Sequence, residues 1–201
     1  MGERANVVIR LQAYRFALVP DEEQRRSMGR FAGSCRFVFN RALDLQSEVF
    51  KLCGFHPGYA DLCAELVNWK TDPETTWLNE STAQALQQAL KNLECGWSRH
   101  FDSLKDLKQG KIRAGQLIGK PVFKRKGEHD SFRYPQGIKL EQENNRILLP
   151  KLGWVRYRNS REVLRAIKNV PVSQKAGKWF ISIQAAREVE KPVIIQQVQW
   201  E

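Results

Sequence analysis

One strand-like stretch stands alone at the head of the chain, far from any other. Val7 to Val19 alternates with a period of two, with Val7, Ile9 and Leu11 on one face and Val8, Arg10 and Gln12 on the other. Pro20 ends the run. The next stretches of that period begin only near Ile138. A lone strand is not stable, so this one must pair with strands from the other end of the chain. The expected fold is therefore α+β: a small twisted β-barrel interrupted after its first strand by a helical insertion.

The insertion reads as three helices. Asp21 with Gln24 has the form of a capping box. The first helix follows, with an apolar stripe of Met28, Phe31, Cys35, Val38, Ala42, Leu45 and Val49, and Gly54 ends it. His56, Pro57 and Gly58 link it to a second helix over Tyr59 to Trp69. After a loop at Thr71 to Thr76, a third helix is expected from about Asn79 to Leu104, with a core stripe of Leu86, Leu90, Leu93, Trp97, Phe101 and Leu104. Gln84, Gln87, Lys91 and Ser98 form a polar stripe beside that core. Glutamine pairs bidentately with adenine, and lysine reaches guanine or phosphate; a solvated helix face has the same pattern.

Short strands then follow at Ile138–Glu141, Arg146–Leu149 and Gly153–Tyr157, with a turn at Asn144-Asn145. Residues Ala166 to Ser173 and Lys178 to Ala185 read as a hairpin turning at Gln174–Gly177, with Trp179, Ile181 and Ile183 on one face. Pro171 suggests that its strand lies at an edge. Trp77, Trp97, Trp154 and Trp179 are assigned to packing.

The 201 residues carry a formal net charge of +11, which points to a polyanion partner. From Lys105 to Lys126 there are eight Lys or Arg and one acidic residue. The stretch GKPVFKRKGEHDSFRYP, Gly119 to Pro135, interleaves bases with Phe123, Phe132 and Tyr134. Bases that track a backbone beside aromatics that stack suit nucleic acid. No apolar run approaches the ~20 residues of a membrane span. The start of the chain shows no signal-peptide pattern. Four cysteines, Cys35, Cys53, Cys63 and Cys95, form no CxxC pair and read as free thiols of a cytoplasmic, nucleoid-associated protein. His56, His100 and His129 are scattered, against a zinc site. No nucleotide-binding loop or nucleophile elbow occurs. The pairs Asp61/Glu65 and Asp102/Asp106 read as surface pairs on helices, and Glu188 to Glu190 as a solvated strand end.

The segments YRFALVPDEEQ, GSCRFVFNRAL, TTWLNE, QALQQALKNLE, PVFKRKGEHDSFRYP, ILLPKLGWVRYRNSR and IKNVPVS…GKWFISI occur in this order. In these the chain resembles the N-terminal half of the OrfB (TnpB) family of bacterial insertion sequences. Any one of them is weak, but the ordered set covers nearly the whole chain. The resemblance implies an RNA-guided DNA nuclease ancestry. It implies a wedge-type barrel over residues 1–20 and 119–190, a helical recognition insertion with a basic tail over 21–118, and a linker over 191–201. In the family these parts hold a guide RNA from the element's end and read a short duplex motif beside the target, while base pairing reads the target itself. The family's nuclease half uses divalent metal and structural zinc. The chain ends before the positions of those residues, so no catalytic residue and no cofactor is carried onto it, and a surface that half would cover is expected to be exposed.

The resemblance points to Tyr59, Gln84, Gln87 and Arg133 for the duplex motif. Lys91, Arg99, Lys124, Arg125 and Lys126 are the candidates for the nucleic-acid backbone. Arg15, Arg36 and Arg41 are weaker candidates, and Phe132 and Tyr134 are candidates for base stacking. DNA and RNA are the expected partners, with no membrane, for a monomer. The alternative is a helix-turn-helix-like transposase subunit that binds duplex DNA without RNA, for which paired half-sites and a dimer would be expected.

Overall fold

The computed structural model describes residues 7–163 and 167–190. The side chains of 7–11, 168 and 186–190 lie outside that description, and with them the alternation expected over Val7–Leu11 and the solvated end at Glu188–Glu190. The expected linker 191–201 lies outside it too. The elements run β1 (Val7–Val19), α1 (Glu22–Cys53), α2 (Tyr59–Thr71), α3 (Ala83–Lys108), β2 (Ser131–Tyr134), β3 (Lys139–Glu141), β4 (Arg146–Leu149), β5 (Gly153–Tyr157), β6 (Ile167–Lys175) and β7 (Lys178–Glu190). The fold is α+β, as expected.

The seven strands form one antiparallel sheet in the order β2-β6-β7-β1-β5-β4-β3. The first strand finds its partner at the far end of the chain, from Val7↔Glu190 to Ala17↔Phe180. Only its last residues reach β5, at Leu18↔Tyr157 and Val19↔Arg156. The two edge strands, β2 and β3, are consecutive in the chain and separated only by 135–138. Such a link spans at most ~17 Å, whereas the edges of a flat seven-stranded sheet lie ~29 Å apart. The sheet must therefore roll. It does not close: among the described residues no ladder joins β2 to β3. In place of the closed barrel there is a rolled sheet, with the Tyr134 hydroxyl donating to the Pro150 carbonyl at 3.0 Å beside the opening.

Pro171 is a second correction. Its strand, β6, lies between β2 and β7 and not at an edge. The β6–β7 ladder passes from Asn169↔Gln184 to Val172↔Ile181 across the proline, which has no N–H to give. The hairpin that follows turns through Ala176 (φ 48°) and Gly177 (φ 73°), the pair of left-handed residues that matches strand twist.

α1 starts as its sequence demands. The Asp21 carboxylate accepts from the Gln24 N–H at 2.8 Å, and the Gln24 side-chain oxygen accepts from the Asp21 N–H at 3.2 Å. Gly54 closes the helix at φ 68°. Met28, Phe31, Cys35, Val38 and Ala42 are buried as expected, but farther along Leu43 and Gln46 are the buried positions, with Leu45 and Val49 only half-buried. Gln46 is there because both ends of its amide are used: its oxygen accepts from the Trp97 indole at 2.9 Å and its nitrogen donates to the Pro57 carbonyl at 2.8 Å. α3 begins later than expected. A 3₁₀ turn, Thr76–Glu80, precedes it, and Thr82 caps it by accepting from the Ala85 N–H at 3.3 Å. Leu86, Leu90 and Leu93 are fully buried, whereas Phe101 is 45% exposed. The helices and the sheet share one core, bridged where Phe31 of α1 meets Phe132 of β2 edge to face at 5.8 Å.

Gln24 joins the two layers. Its side-chain nitrogen donates to the carbonyls of Leu152 (3.3 Å) and Trp154 (2.9 Å), around the β4–β5 turn. Gln24→Ala is expected to cost about 1–2 kcal/mol, more than a cap alone, since a cap and a pin are lost together. Gln24→Glu, which keeps the capping oxygen but sets a carboxylate against two carbonyls, should remain below wild type in chemical denaturation. Equal stability of Gln24→Glu and wild type would show that the pin contributes nothing.

Candidate nucleic-acid interface

The basic run after α3 is not a free loop. It doubles back along α3 as a strap fixed at successive points. The Ile118 carbonyl lies 2.6 Å from the His100 Nδ1, and the Ile118 N–H donates to the Ser103 hydroxyl at 3.2 Å. Three residues on, Pro121 crosses α3 at Gly96, where a Cβ would stand 3.1 Å from the proline Cγ. The strap then reaches α1. The Lys124 N–H donates to the Asn40 Oδ1 at 2.8 Å, and the Asn40 Nδ2 donates to the Lys124 carbonyl at 3.0 Å.

From Lys124 the chain makes a tight turn into β2. The Glu128 N–H donates to the Arg125 carbonyl at 3.3 Å. Asp130 closes the turn. One carboxylate oxygen accepts from the Gly127 N–H at 3.1 Å and the other lies 2.6 Å from Nη1 of Arg36. Its backbone carbonyl accepts from the Gln174 N–H of β6 at 2.8 Å. Arg125 and Lys126 are thus exposed on a turn held to both α1 and the sheet.

The residues singled out in the sequence fall into three groups. Gln87, Lys91, Arg99, Arg125 and Lys126 are exposed, and Gln84 and Arg133 are half-exposed. On α3, Gln84, Gln87 and Lys91 share a side, whereas Arg99 lies about 12 Å farther along and is turned about 80° away from Lys91. Lys124 is half-buried with its ammonium 4.0 Å above the Phe39 ring, and burial lowers its pKa from the ordinary lysine value. Tyr59 opens α2 half-buried against the core, with its hydroxyl pKa raised by burial and then by Cys63. Phe132 and Tyr134, the base-stacking candidates, are 4% and 0% exposed and belong to the core, because β2 turns them inward against Phe31 and Trp179. Of the four tryptophans assigned to packing, Trp179 is buried, but Trp77 is 40% and Trp154 39% exposed. Trp77 lies edge-on to Phe37, and Trp154 is covered by the Arg146 guanidinium.

What faces Arg133 across a cleft of about 60 Å³ is a different pair on α3, Gln88 and Asn92, together with Lys124 and Pro171. The signal was present in the sequence: Gln84, Gln88 and Asn92 follow one another at the four-residue spacing of a single helix face. A larger cleft of about 1140 Å³ lies between α1 and α2, lined by Arg30, Arg36 and Arg41 and by Phe37, Trp69 and Trp77. It does not suit a phosphate chain. Arg30 pairs with Glu80 and Arg36 with Asp130, Arg41 lies over Trp69, and Asp44, Glu48 and Glu65 share the walls. An apolar groove of about 500 Å³ runs between Phe50, Phe101, Val122 and Phe123, all exposed, beside His56.

Comparison with known proteins matches residues 10–52 to the helix-turn-helix domain of OrfB proteins. A protein of Escherichia coli (strain K12), "Putative RNA-guided DNA endonuclease InsQ", is 50% identical over 92% of this chain and 42% of its own length. The chain belongs to the OrfB/TnpB family. Proteins of the same description from Streptomyces pristinaespiralis and from Mycobacterium tuberculosis (strain CDC 1551 / Oshkosh) are similar at 26% identity over 86% and 28% over 78% of the chain, covering 40% and 36% of their own lengths. The family member described here thus spans less than half the length of these relatives. Over residues 10–52 its geometry is a strand and one unbroken helix, with no turn between two helices. Among the described residues no helix is long and apolar enough to cross a membrane, and no three metal-ligating side chains gather.

The cysteines give a direct check on the cleft. Cys35 lines it, 4% exposed, with its thiol directed at the Ala85 carbonyl and its pKa pushed up to about 12 by burial. Cys53 and Cys95 are exposed. A chromogenic disulfide at mildly alkaline pH should label Cys53 and Cys95 in the native protein and Cys35 only on unfolding. Labelling of Cys35 at the rate of Cys53 would contradict the burial of its thiol beside the cleft.

Proposed function

We propose that this chain is the nucleic-acid-binding part of a transposon-encoded OrfB/TnpB-type protein, holding a guide RNA and a short duplex beside its target. The observation that carries this reading is the strapped turn: it sets Arg125 and Lys126 in solvent next to the cleft between α3 and β2, where Gln88, Asn92 and Arg133 meet. Exposed cations held on a rigid backbone position a phosphate chain, and amide and guanidinium groups beside them read base edges. In this division of labour Lys91, Arg99, Arg125 and Lys126 meet phosphates, while Gln84, Gln87, Gln88, Asn92 and Arg133 meet bases. Lys124 and Tyr59 hold the site in place. The helical unit over 21–118 is the recognition element, and the rolled sheet of β1 to β7, from the segments on either side of it, is the wedge that carries it. No residue is given a catalytic role.

A duplex reader of the helix-turn-helix kind, acting without RNA, finds less support. It needs two helices across a tight turn, the second inserted into the major groove; within the matched residues 10–52 α1 is unbroken, and the next helix, α2, starts only at Tyr59 after a five-residue link.

Each phosphate neutralised contributes about −0.9 to the slope of log affinity against log salt on a duplex. Replacing Arg125 and Lys126 together by alanine should therefore make the slope about 1.8 less negative. Filter binding across a salt series measures this, and an unchanged slope would remove the turn from the interface. RNA co-purifying at moderate salt should come from a discrete locus; heterogeneous RNA that washes off with salt would leave only general polyanion affinity.

A further inference from the structure

Asn40 and the Arg36–Asp130 pair together fix the turn that presents Arg125 and Lys126 to solvent. Asn40 meets Lys124 as a neighbouring strand would, accepting from its N–H and donating to its C=O. A side-chain amide carries a donor and an acceptor on separate atoms, as a peptide group does, and Asn40 is one turn beyond Arg36 on the same face of α1. Arg36 and Asp130 are 22% and 15% exposed, so their contact is shielded from solvent and salt. Asp130 spends its second carboxylate oxygen on Gly127 and its backbone carbonyl on Gln174.

The turn needs such holding. Gly127 (φ 81°) and His129 (φ 57°) both lie in the left-handed region, two residues apart. Glycine enters that region freely, but histidine does so at a cost, and a conformation of this kind persists only where its surroundings impose it. A turn released from α1 would sample other conformations, and Arg125 and Lys126 would have to be ordered again on binding, at a loss of affinity.

We infer that Asn40, Arg36 and Asp130 are positioning residues, which clamp the Lys124–Asp130 turn to α1 so that Arg125 and Lys126 meet phosphates already in place. The inference rests on the nucleic-acid reading above and assigns α1 a task in it: α1 acts through the turn and itself stays out of the ligand.

The test is a double-mutant cycle on the full chain with a random-sequence DNA duplex as probe, scored by affinity and by salt slope. Asn40→Ala should weaken binding about tenfold at low salt and reduce the slope toward that of the Arg125→Ala/Lys126→Ala protein. Placed in that double variant, Asn40→Ala should change nothing further. Hydrogen exchange should show lost protection at the Lys124 and Gly127 amides, with the α3 core still protected, which separates release of the turn from unfolding. Asn40→Asp keeps the acceptor for the Lys124 N–H and should fall between Asn40→Ala and wild type. Equal weakening by Asn40→Ala in both backgrounds would overturn the inference, as would unchanged binding when the two amides have lost protection. If wild type binds and the Arg125/Lys126 double variant binds as well, the clamp has no role in binding while the nucleic-acid reading stands. If wild type binds no duplex, and no RNA hairpin offered in its place, both fall.

Discussion

Everything in this molecule hangs on the ladder between β1 and β7. It joins the first described strand to the last, from Val7↔Glu190 inward. Closing so long a loop costs entropy that grows only with the logarithm of its length, so one extended ladder suffices to hold a helical insertion between two strands. The ladder also sets direction. β1 ends at Pro20 beside β5, and the Gln24 amide then fixes the start of α1 to the β4–β5 turn. From there α1 is a rigid rod, and what it carries on its surface is placed relative to the sheet.

What α1 carries is the end of the strap that runs along α3. Its anchors are side chains reaching backbone: Ser103 at Ile118, Asn40 at Lys124 and Asp130 at Gly127. Gly96 adds a close approach that any larger residue would crowd. None of these anchors depends on a repeating pattern, and this explains how a segment with so many bases and so few apolar residues keeps one path. Its charge is therefore organised: Arg125 and Lys126 project, whereas Lys124 lies over Phe39.

The legible parts of the chain were those where a local rule and the tertiary fold agree. The lone first strand, its stop at Pro20, the Asp21/Gln24 box and the Gly54 stop follow from local chemistry and are present; so is the late hairpin from Ile167 on, with Ala166 outside the described residues and the turn narrowed to Ala176-Gly177. The pairing of the first strand with later ones followed from the instability of a strand alone. The misreadings have a common cause, in partners distant in sequence. Pro171 suggested an edge, but the short β2 pairs outside it. Phe132 and Tyr134 stood among bases and suggested stacking on a ligand, yet strand pairing turns both into the core. Alternation does not say whether a rolled sheet closes. On α3 the polar stripe is legible, but Gln88 and Asn92, which line the cleft with Arg133, are not singled out by it, because which side of the helix meets β2 is a matter of tertiary packing that the helix's own sequence does not state. The family was legible from ordered motifs, and the task of Asn40 and Arg36 within GSCRFVFNRAL only from geometry.

The central claim is that nucleic acid meets this chain at the strapped turn and the neighbouring face of α3. Hydrogen-exchange mass spectrometry of the free chain and of the chain saturated with its co-purifying RNA or with duplex DNA tests it most directly. The account predicts new protection over residues 124–126 and along α3 from Gln84 to Asn92, with the cleft between α1 and α2 unchanged. Protection confined to that cleft, or to the apolar groove beside His56, with none at the turn, would contradict it.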